Sequence, residues 1–346
     1  MVAEHKRRVH YSGKYPRKYE EKYKELQPEK YADMAEHVIA KGSTPAGTHI
    51  SIMVEEILEF LDIQPGQIGL DCTLGYGGHS EKMLEKLSGR GHLYALDVDP
   101  IESEKTTKRL REKGYDEEIF SVKRINFANI DQVVKETGKF DFVLADLGVS
   151  SMQIDNPERG FTYKADGPLD LRMDPTQGIS AAQRLKELSK EELIGLLTEN
   201  ADEPYAVEIA TTITSFLKAH QPIETTLQLK KVIEKALGFL PKAEQKEAVK
   251  KSCARTFQAL RIDVNHEFEV LYQFMEKLPT VLNPGGRVAV LTFHSGEDRL
   301  VKKAFKDYYR AGIYENVARE VIRPSQEECR RNPRAKSTKM RWAIKS

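Results

Sequence analysis

Residues 68–80 read Ile68-Gly69-Leu70-Asp71-Cys72-Thr73-Leu74-Gly75-Tyr76-Gly77-Gly78-His79-Ser80, a buried strand that runs straight into a glycine-rich turn. Ile68 and Leu70 are strand-like and Asp71 stands at the strand's end, while Gly75, Gly77 and Gly78 let the backbone turn tightly and approach a ligand without Cβ clashes. Ser80 to Leu87 then reads as a helix with Met83, Leu84 and Leu87 on one face. Ser80 occupies the place where a dinucleotide fingerprint has its third glycine. A second apolar run, His92 to Leu96, ends in Asp97, at the spacing where nucleotide-binding α/β folds aim a carboxylate at a ribose hydroxyl. Together these segments predict the first half of a Rossmann-like α/β sheet.

Working outward, 346 residues with 40% hydrophobic content suffice for a sizeable core in one or two domains. No apolar run approaches a membrane span, and the N-terminus is charged rather than secretory, so a soluble, cytoplasmic protein is expected. Cys72, Cys253 and Cys329 lie too far apart in sequence to suggest a disulfide framework or a zinc site. The net charge of +1 conceals an asymmetry. Residues 1–24 hold eight Lys and Arg against three acids, residues 319–346 hold nine against three, and the body between is acidic. Basic ends of this kind suit a polyanion such as RNA, or are solvated tails.

Residues 1–48 read as a basic, Tyr-rich extension, with Tyr11, Tyr15, Tyr19 and Tyr23 at helical spacing among lysines and arginines. An RNA-contacting arm and a plain docking or disordered tail both fit that pattern. A helix over 49–61 precedes the first strand, and a charged helix over 101–113 follows Asp97. Phe120 to Ile125 and Phe140 to Leu144 are further strands, the latter delivering Ala145, Asp146, Leu147 and Gly148 to the sheet edge where ligands bind. Residues 150–178 are rich in turn formers, and 180–250 read as several short amphipathic helices, which predicts an inserted helical domain. The parent fold resumes with a helix over 256–278 and a strand, Arg287 to Phe293, that ends in His294-Ser295. The expected division is therefore 49–153 and 255–346 for the sheet domain, with 154–254 inserted.

Two chemistries compete for the glycine turn. Dinucleotide enzymes want a third glycine, whereas S-adenosylmethionine enzymes commonly carry an acidic residue just before the glycines, as Asp71 does here. A phosphate-binding P-loop is excluded because no Gly-Lys-Ser/Thr follows. Six blocks decide the matter: DCTLGYGGHS from Asp71, DLGVSSMQ from Asp146, RGFTYKADGPLDLRMDP from Arg159, RTFQALRIDVN from Arg255, PGGRVAVLTFHSGEDR ending at Arg299, and NPRAKSTKMR from Asn332. In order and content they resemble the RsmH (MraW) family, S-adenosylmethionine-dependent enzymes that methylate N4 of a cytosine in the decoding centre of 16S ribosomal RNA.

The resemblance implies a class I methyltransferase sheet interrupted by a helical substrate-recognition domain, S-adenosyl-L-methionine as cofactor, and the small ribosomal subunit as partner. It places cofactor contacts on Gly77, Gly78, His79, Asp97, Phe127, Asp146 and Gln153. The N4 amine is a poor nucleophile because its lone pair is delocalised into the ring, so Asp146 is read as the group that orients N4–H and takes its proton, or as a partner for the cofactor's ammonium. His294 is the second catalytic candidate, through contact with the target base or a phosphate. Phe161 and Tyr163 are candidate walls for an extruded base. Arg159, Arg172, Arg255, Arg261 and Arg299 are candidate phosphate contacts, although Asp166, Asp170, Asp174 and Asp263 offer them intramolecular partners. No metal is called for. Tyr76, Met152, Ser252-Cys253, Gly296 and the long N-terminal extension depart from the family pattern, as in a divergent paralogue. A different target nucleotide, or a non-catalytic ribosome-assembly role, remains an alternative, and oligomeric state is left open.

Overall fold

The strands form where apolar residues alternate or run together. β1 (Ile68–Asp71), β2 (His92–Leu96), β3 (Phe120–Lys123) and β4 (Phe140–Asp146) are followed by β5 (Leu282–Thr292), β6 (Tyr314–Val317) and β7 (Lys339–Lys345) in this computed structural model, which describes residues 51–346. They make one sheet in the order β3-β2-β1-β4-β5-β7-β6. The first five strands are mutually parallel, and β7 runs antiparallel to both β5 and β6. The chain winds outward from β1 to β3 and then returns to lay β4 against β1's other side. That reversal opens a crevice at the carboxyl ends of β1 and β4, the place where open α/β sheets bind ligands.

Helices cover both faces. Alternate strand residues serve opposite sides: Leu70, Val143, Ala145, Val288 and Val290 join one core with Leu271, Phe274 and Leu278, while Leu93, Ala95, Phe142, Leu144 and Ala289 join another with Ile57, Leu61, Met83 and Leu87. The expected N-terminal helix starts late, as α1 (Val54–Leu61), because Met53 sits in the left-handed region at φ 56°. Residues 49 and 50, and the tyrosine stripe of the extension, lie outside the described residues. α2 (Gly78–Leu87) follows the glycine turn. α3 (Pro100–Glu112) is started by Asp99, whose side chain accepts from the N–H groups of Ile101 and Glu102, with proline at the first helical position. The Asp-Pro of the DVDP stretch is thus a helix start signal. A short α4 (Ile130–Thr137) leads into β4.

After β4 comes α5 (Ser151–Asp155), then irregular chain, then five helices: α6 (Ala181–Glu187), α7 (Lys190–Ala201), α8 (Ala206–Lys218), α9 (Thr226–Ala236) and α10 (Lys242–Val264). Capping boxes at Ser180, Ser189 and Thr225 start three of them. Their apolar faces build a core of their own from Leu169 through Ile213 and Ile233 to Leu260. α10 runs unbroken through residue 254, where the sequence places the domain boundary. The first break is at Asn265 and His266, and the latter adopts φ 50° before α11 (Glu267–Val281) begins. One helix was expected over 256–278; the chain makes two. Beyond β5, α12 (Ser295–Arg310) and α13 (Gln326–Arg331) complete the described elements. Among the described residues no helix is long and apolar enough to cross a membrane.

Candidate active site at the β1–β4 crevice

The glycine turn is built as its residues require. Gly75 and Gly77 take φ 47° and 75°, and a Cβ on Gly77 would lie 2.6 Å from Thr106 Cγ2. A Cβ on Gly78 would lie 2.1 Å from Ser51 Oγ. Gly77 and Gly78 therefore admit no Cβ without displacement of a neighbour, and at Gly75 it is the positive φ that favours glycine. Arg109 of α3 stacks its guanidinium 3.6 Å over the Tyr76 ring and donates to the Tyr76 carbonyl.

Four carboxylates crowd the crevice. Asp71 is buried, accepts from Ser80 Oγ at 2.6 Å and from the Thr73 N–H at 3.0 Å, and burial raises its carboxyl above the usual range. Asp97 accepts from the N–H groups of Gly75 at 2.7 Å and Asp99 at 2.8 Å; burial pushes it up to about 6. Asp99 receives Gln153 Nε2 and Arg159 Nη1, each at 2.7 Å on the same oxygen. Asp146, at the end of β4, is pushed up to about 6, first by burial and then by the charges of Asp71 and Glu297, against the lowering effect of His79. Its Oδ2 lies 3.5 Å from His79 Nδ1, while its Oδ1 is shut off from water with no hydrogen-bond partner. His79 is itself buried and places Nε2 2.9 Å from the Ile52 carbonyl.

His294 caps the same edge from the end of β5. Its Nε2 lies 3.1 Å from Glu297 Oε1, its ring packs edge-on against Phe268 at 5.7 Å, and neither of its buried ring nitrogens completes a well-aligned hydrogen bond. Glu297 also accepts from the Phe293 N–H at 2.9 Å. Burial opposes its charge, but His294 beside it and the nearby Arg261 hold its carboxyl below the ordinary value. Glu267, His294 and Glu297 each place a potential metal ligand atom within 4.8 Å of the others, a grouping that the sequence did not suggest. Arg261 engages both oxygens of Glu267, at 2.7 and 2.9 Å, so the cluster is already balanced by an internal cation.

A match to the MraW methylase family spans residues 46–346. The chain belongs to this family. It is thereby a methyltransferase. A protein named ribosomal RNA small subunit methyltransferase H 1, from Agathobacter rectalis, is 66% identical over 99% of this chain and 98% of its own length. One from Alkaliphilus metalliredigens, named with the suffix H 2, is 60% identical over 98% and 97%. The relative from Thioalkalivibrio sulfidiphilus, named H without a number, is 40% identical and covers 86% of this chain with 98% of its own length. Relatives of the first kind thus extend into the N-terminal segment that lies ahead of the family match. Among solved structures, a putative rRNA-methylase from Clostridium thermocellum covers 86% of this chain and 100% of its own at 10% identity and TM-score 0.42.

Set against that membership, the sequence-derived site residues divide into groups. Gly77, Gly78, His79, Asp97 and Asp146 come together at the crevice. Gln153 reaches the same edge, but its amide is spent on Asp99 Oδ2 and on the Ser150 N–H at 2.8 Å, so it fixes the loop after β4. Phe127, half-buried, packs edge-on against Phe274 at 5.2 Å.

Three of the proposed RNA contacts are engaged internally. Arg159 is buried, bound to Asp99 and to the carbonyls of Arg172 and Met173. Arg172 pairs with Asp170 at 2.7 Å, and Arg261 with Glu267. Their short links to carboxylates engage the cations that the sequence offered to phosphate or to neighbouring aspartates. Phe161 is a core residue under the Arg159 guanidinium rather than an exposed wall, whereas Tyr163 is half-buried and donates to the Lys250 carbonyl at 3.4 Å. Arg255 is half-buried, Arg299 is exposed, and neither has an ion-pair partner among the described residues. The departures Ser252 and Cys253 are internal: Ser252 Oγ donates to buried Glu203 at 2.8 Å. Sequence reasoning missed Asp99 and Glu297 as organisers; the helix start at DVDP and the Glu three residues after His294 were their signals.

Proposed function

We propose that this methyltransferase uses S-adenosyl-L-methionine to methylate N4 of a cytidine in the decoding centre of 16S ribosomal RNA within the small ribosomal subunit. The observation that carries the reading is Asp146 Oδ1, a buried carboxylate oxygen without a partner at the switch point of the sheet, beside a glycine turn. The residues present fit the cofactor. Asp71, Asp97 and Asp146 suit a ligand with two cationic centres and ribose hydroxyls, and the turn offers backbone where side chains would obstruct. When bound, S-adenosylmethionine supplies an electrophilic methyl group. Asp97 would hold the ribose, Gly77 and Gly78 would allow close backbone approach, and Phe127 would flank the adenine.

This chain's own contribution is to orient and deprotonate. Asp146 Oδ1 accepts the N4–H hydrogen bond, which draws electron density back to the nitrogen and fixes its direction of attack. As N4 becomes cationic its proton passes to Oδ1, and the N–H bonding pair remains on nitrogen. His294 offers a ring nitrogen to the base, with Glu297 Oε1 3.1 Å from Nε2 on its other side. The names of the relatives, which specify the small-subunit RNA, support the substrate class. The helical region from 154 to 254, with Arg255 and Arg299 at its return to the sheet, is assigned to RNA recognition, and the basic extension over 1–48 adds an electrostatic arm.

Calorimetric titration with S-adenosylmethionine, followed by transfer to small subunits, tests this reading. Binding with transfer that is lost in Asp146→Ala while RNA affinity is kept supports it. Binding of RNA without any transfer by the native chain identifies a non-catalytic assembly factor instead.

A further inference from the structure

His79 belongs by sequence to the glycine turn, where a cofactor contact was expected, but the ring faces two protein oxygens. Nε2 is 2.9 Å from the Ile52 carbonyl, and Nδ1 is 3.5 Å from Asp146 Oδ2. A carbonyl oxygen only accepts, so Nε2 must carry hydrogen. In a neutral ring that leaves a lone pair on Nδ1, directed at a carboxylate oxygen whose own lone pairs repel it. The contact becomes attractive only when a proton lies between Nδ1 and Oδ2, whichever atom it is bonded to. We propose that His79 is a positioning residue for Asp146: one proton shared between Nδ1 and Oδ2 ties down that oxygen and leaves Oδ1 as the acceptor for the target amine. This rests on the methyltransferase reading above.

The surroundings reinforce the arrangement. Asp146 is faced by His79 from α2, by Asp71 from β1 and by Glu297 from α12. His79 is the one group among these three that can carry a positive charge, and Glu328 of α13 also faces it. Glu328 is not idle, since its Oε1 accepts from the Met53 N–H at 2.8 Å and so secures the backbone next to the Ile52 carbonyl. The 3.5 Å separation is longer than a charge-assisted hydrogen bond, as is common for catalytic pairs before substrate binds. Three successive links, Glu328 to Met53, Ile52 to His79 and His79 to Asp146, therefore run from the chain's C-terminal region to the proton acceptor.

The tautomer can be read directly. In full-length protein labelled with 15N-histidine, long-range 1H–15N correlation at neutral pH reports the protonation of each ring nitrogen, and the His79→Gln variant assigns the His79 signals by their loss. Hydrogen on Nε2 is expected together with an Nδ1 signal displaced from that of a bare acceptor nitrogen by the shared proton; hydrogen on Nδ1 with a bare Nε2, or an Nδ1 signal of a wholly bare nitrogen, overturns the proposal. This readout stands even if no transfer to small subunits is found, which would count only against the function. Transfer kinetics supply the second arm. A glutamine amide can still donate to Ile52 but cannot share a proton with Oδ2 or lower the Asp146 carboxyl, so transfer at saturating cofactor should fall about 10- to 100-fold with the acid limb moved to higher pH. Cofactor affinity should stay within about twofold. An unmoved limb with a cofactor affinity loss matching the rate loss would make His79 a cofactor contact alone.

Discussion

Arg159 places Nη1 2.7 Å from Asp99 Oδ2, with the two side chains only 8% and 0% exposed. Asp99 simultaneously caps α3 and receives Gln153, so one carboxylate joins the end of β2 to the loop that follows β4. The β1–β4 crevice is framed by these two segments. An arginine that looked like a phosphate contact is thus a strut inside the protein.

Arg159→Ala should therefore act on stability. It leaves a buried carboxylate with neutral donors alone, the Gln153 amide and the N–H groups of Ile101 and Glu102, and breaking a buried pair from one side costs about 3–5 kcal/mol. Urea unfolding with the native chain as reference should show that loss. An unchanged midpoint with weakened RNA binding would restore the arginine to the substrate interface.

Gly77→Ala should be harmful in a different way. The added Cβ meets Thr106 Cγ2 at 2.6 Å in a backbone at φ 75°, so strain and overpacking together should cost about 1–3 kcal/mol and weaken cofactor binding. Gly78→Ala should be milder, because the obstacle is the Ser51 hydroxyl, and Ser51→Gly in the same chain should relieve it. Calorimetry on the three variants checks the order.

The raised carboxyl of Asp146 gives a pH signature with a definite sign. Its folded value, about 6, lies above the unfolded value near 3.8, so the neutral form is favoured by folding. Its contribution is fully present below about pH 4 and is lost as pH rises through about 6. Asp146→Asn removes that loss and should stabilise the protein at pH 8 by roughly 2–3 kcal/mol, an advantage that disappears below pH 4. Catalysis runs the other way: transfer by the native chain should fall as pH drops through about 6. Paired melting curves and a rate profile test both arms.

How much of this was legible in the sequence follows from the range of the interactions. β1, β2 and β4 are continuous apolar runs with turn signals, and the glycine turn follows Asp71 directly, so the first half of the sheet was readable. β6 and β7 were not read. β7 alternates Met340, Trp342 and Ile344 with Lys339, Arg341 and Ala343, and its antiparallel place beside β5 is set by pairing across the sheet. Arg341 and Lys339 both reach Asp298, at 2.6 and 2.9 Å, a link no local pattern reveals. The same limit explains the arginines. Asp99 and Arg159 are sixty positions apart, Arg261 and Glu267 only six, and neither spacing says that a carboxylate already holds the cation.

Among the described residues Arg255 and Arg299 have no such partner, so they are the arginines proposed for phosphate contact. Arg255→Glu and Arg299→Glu should leave the melting temperature near that of the native chain while lowering small-subunit affinity. Each should reduce the slope of log affinity against log salt by about 1. A salt slope unchanged in both would move the RNA surface elsewhere.

The central claim is that Asp146 serves the amine of one ribosomal cytidine. Small subunits lacking the decoding-centre mark should be incubated with the protein and S-adenosylmethionine carrying a labelled methyl group, then digested and resolved by mass spectrometry. The account predicts label in a single N4-methylcytidine within the decoding centre, abolished by Asp146→Ala. Label on a carbon, on a ribose oxygen or on another RNA, or full transfer by the Asp146→Ala variant, would contradict it.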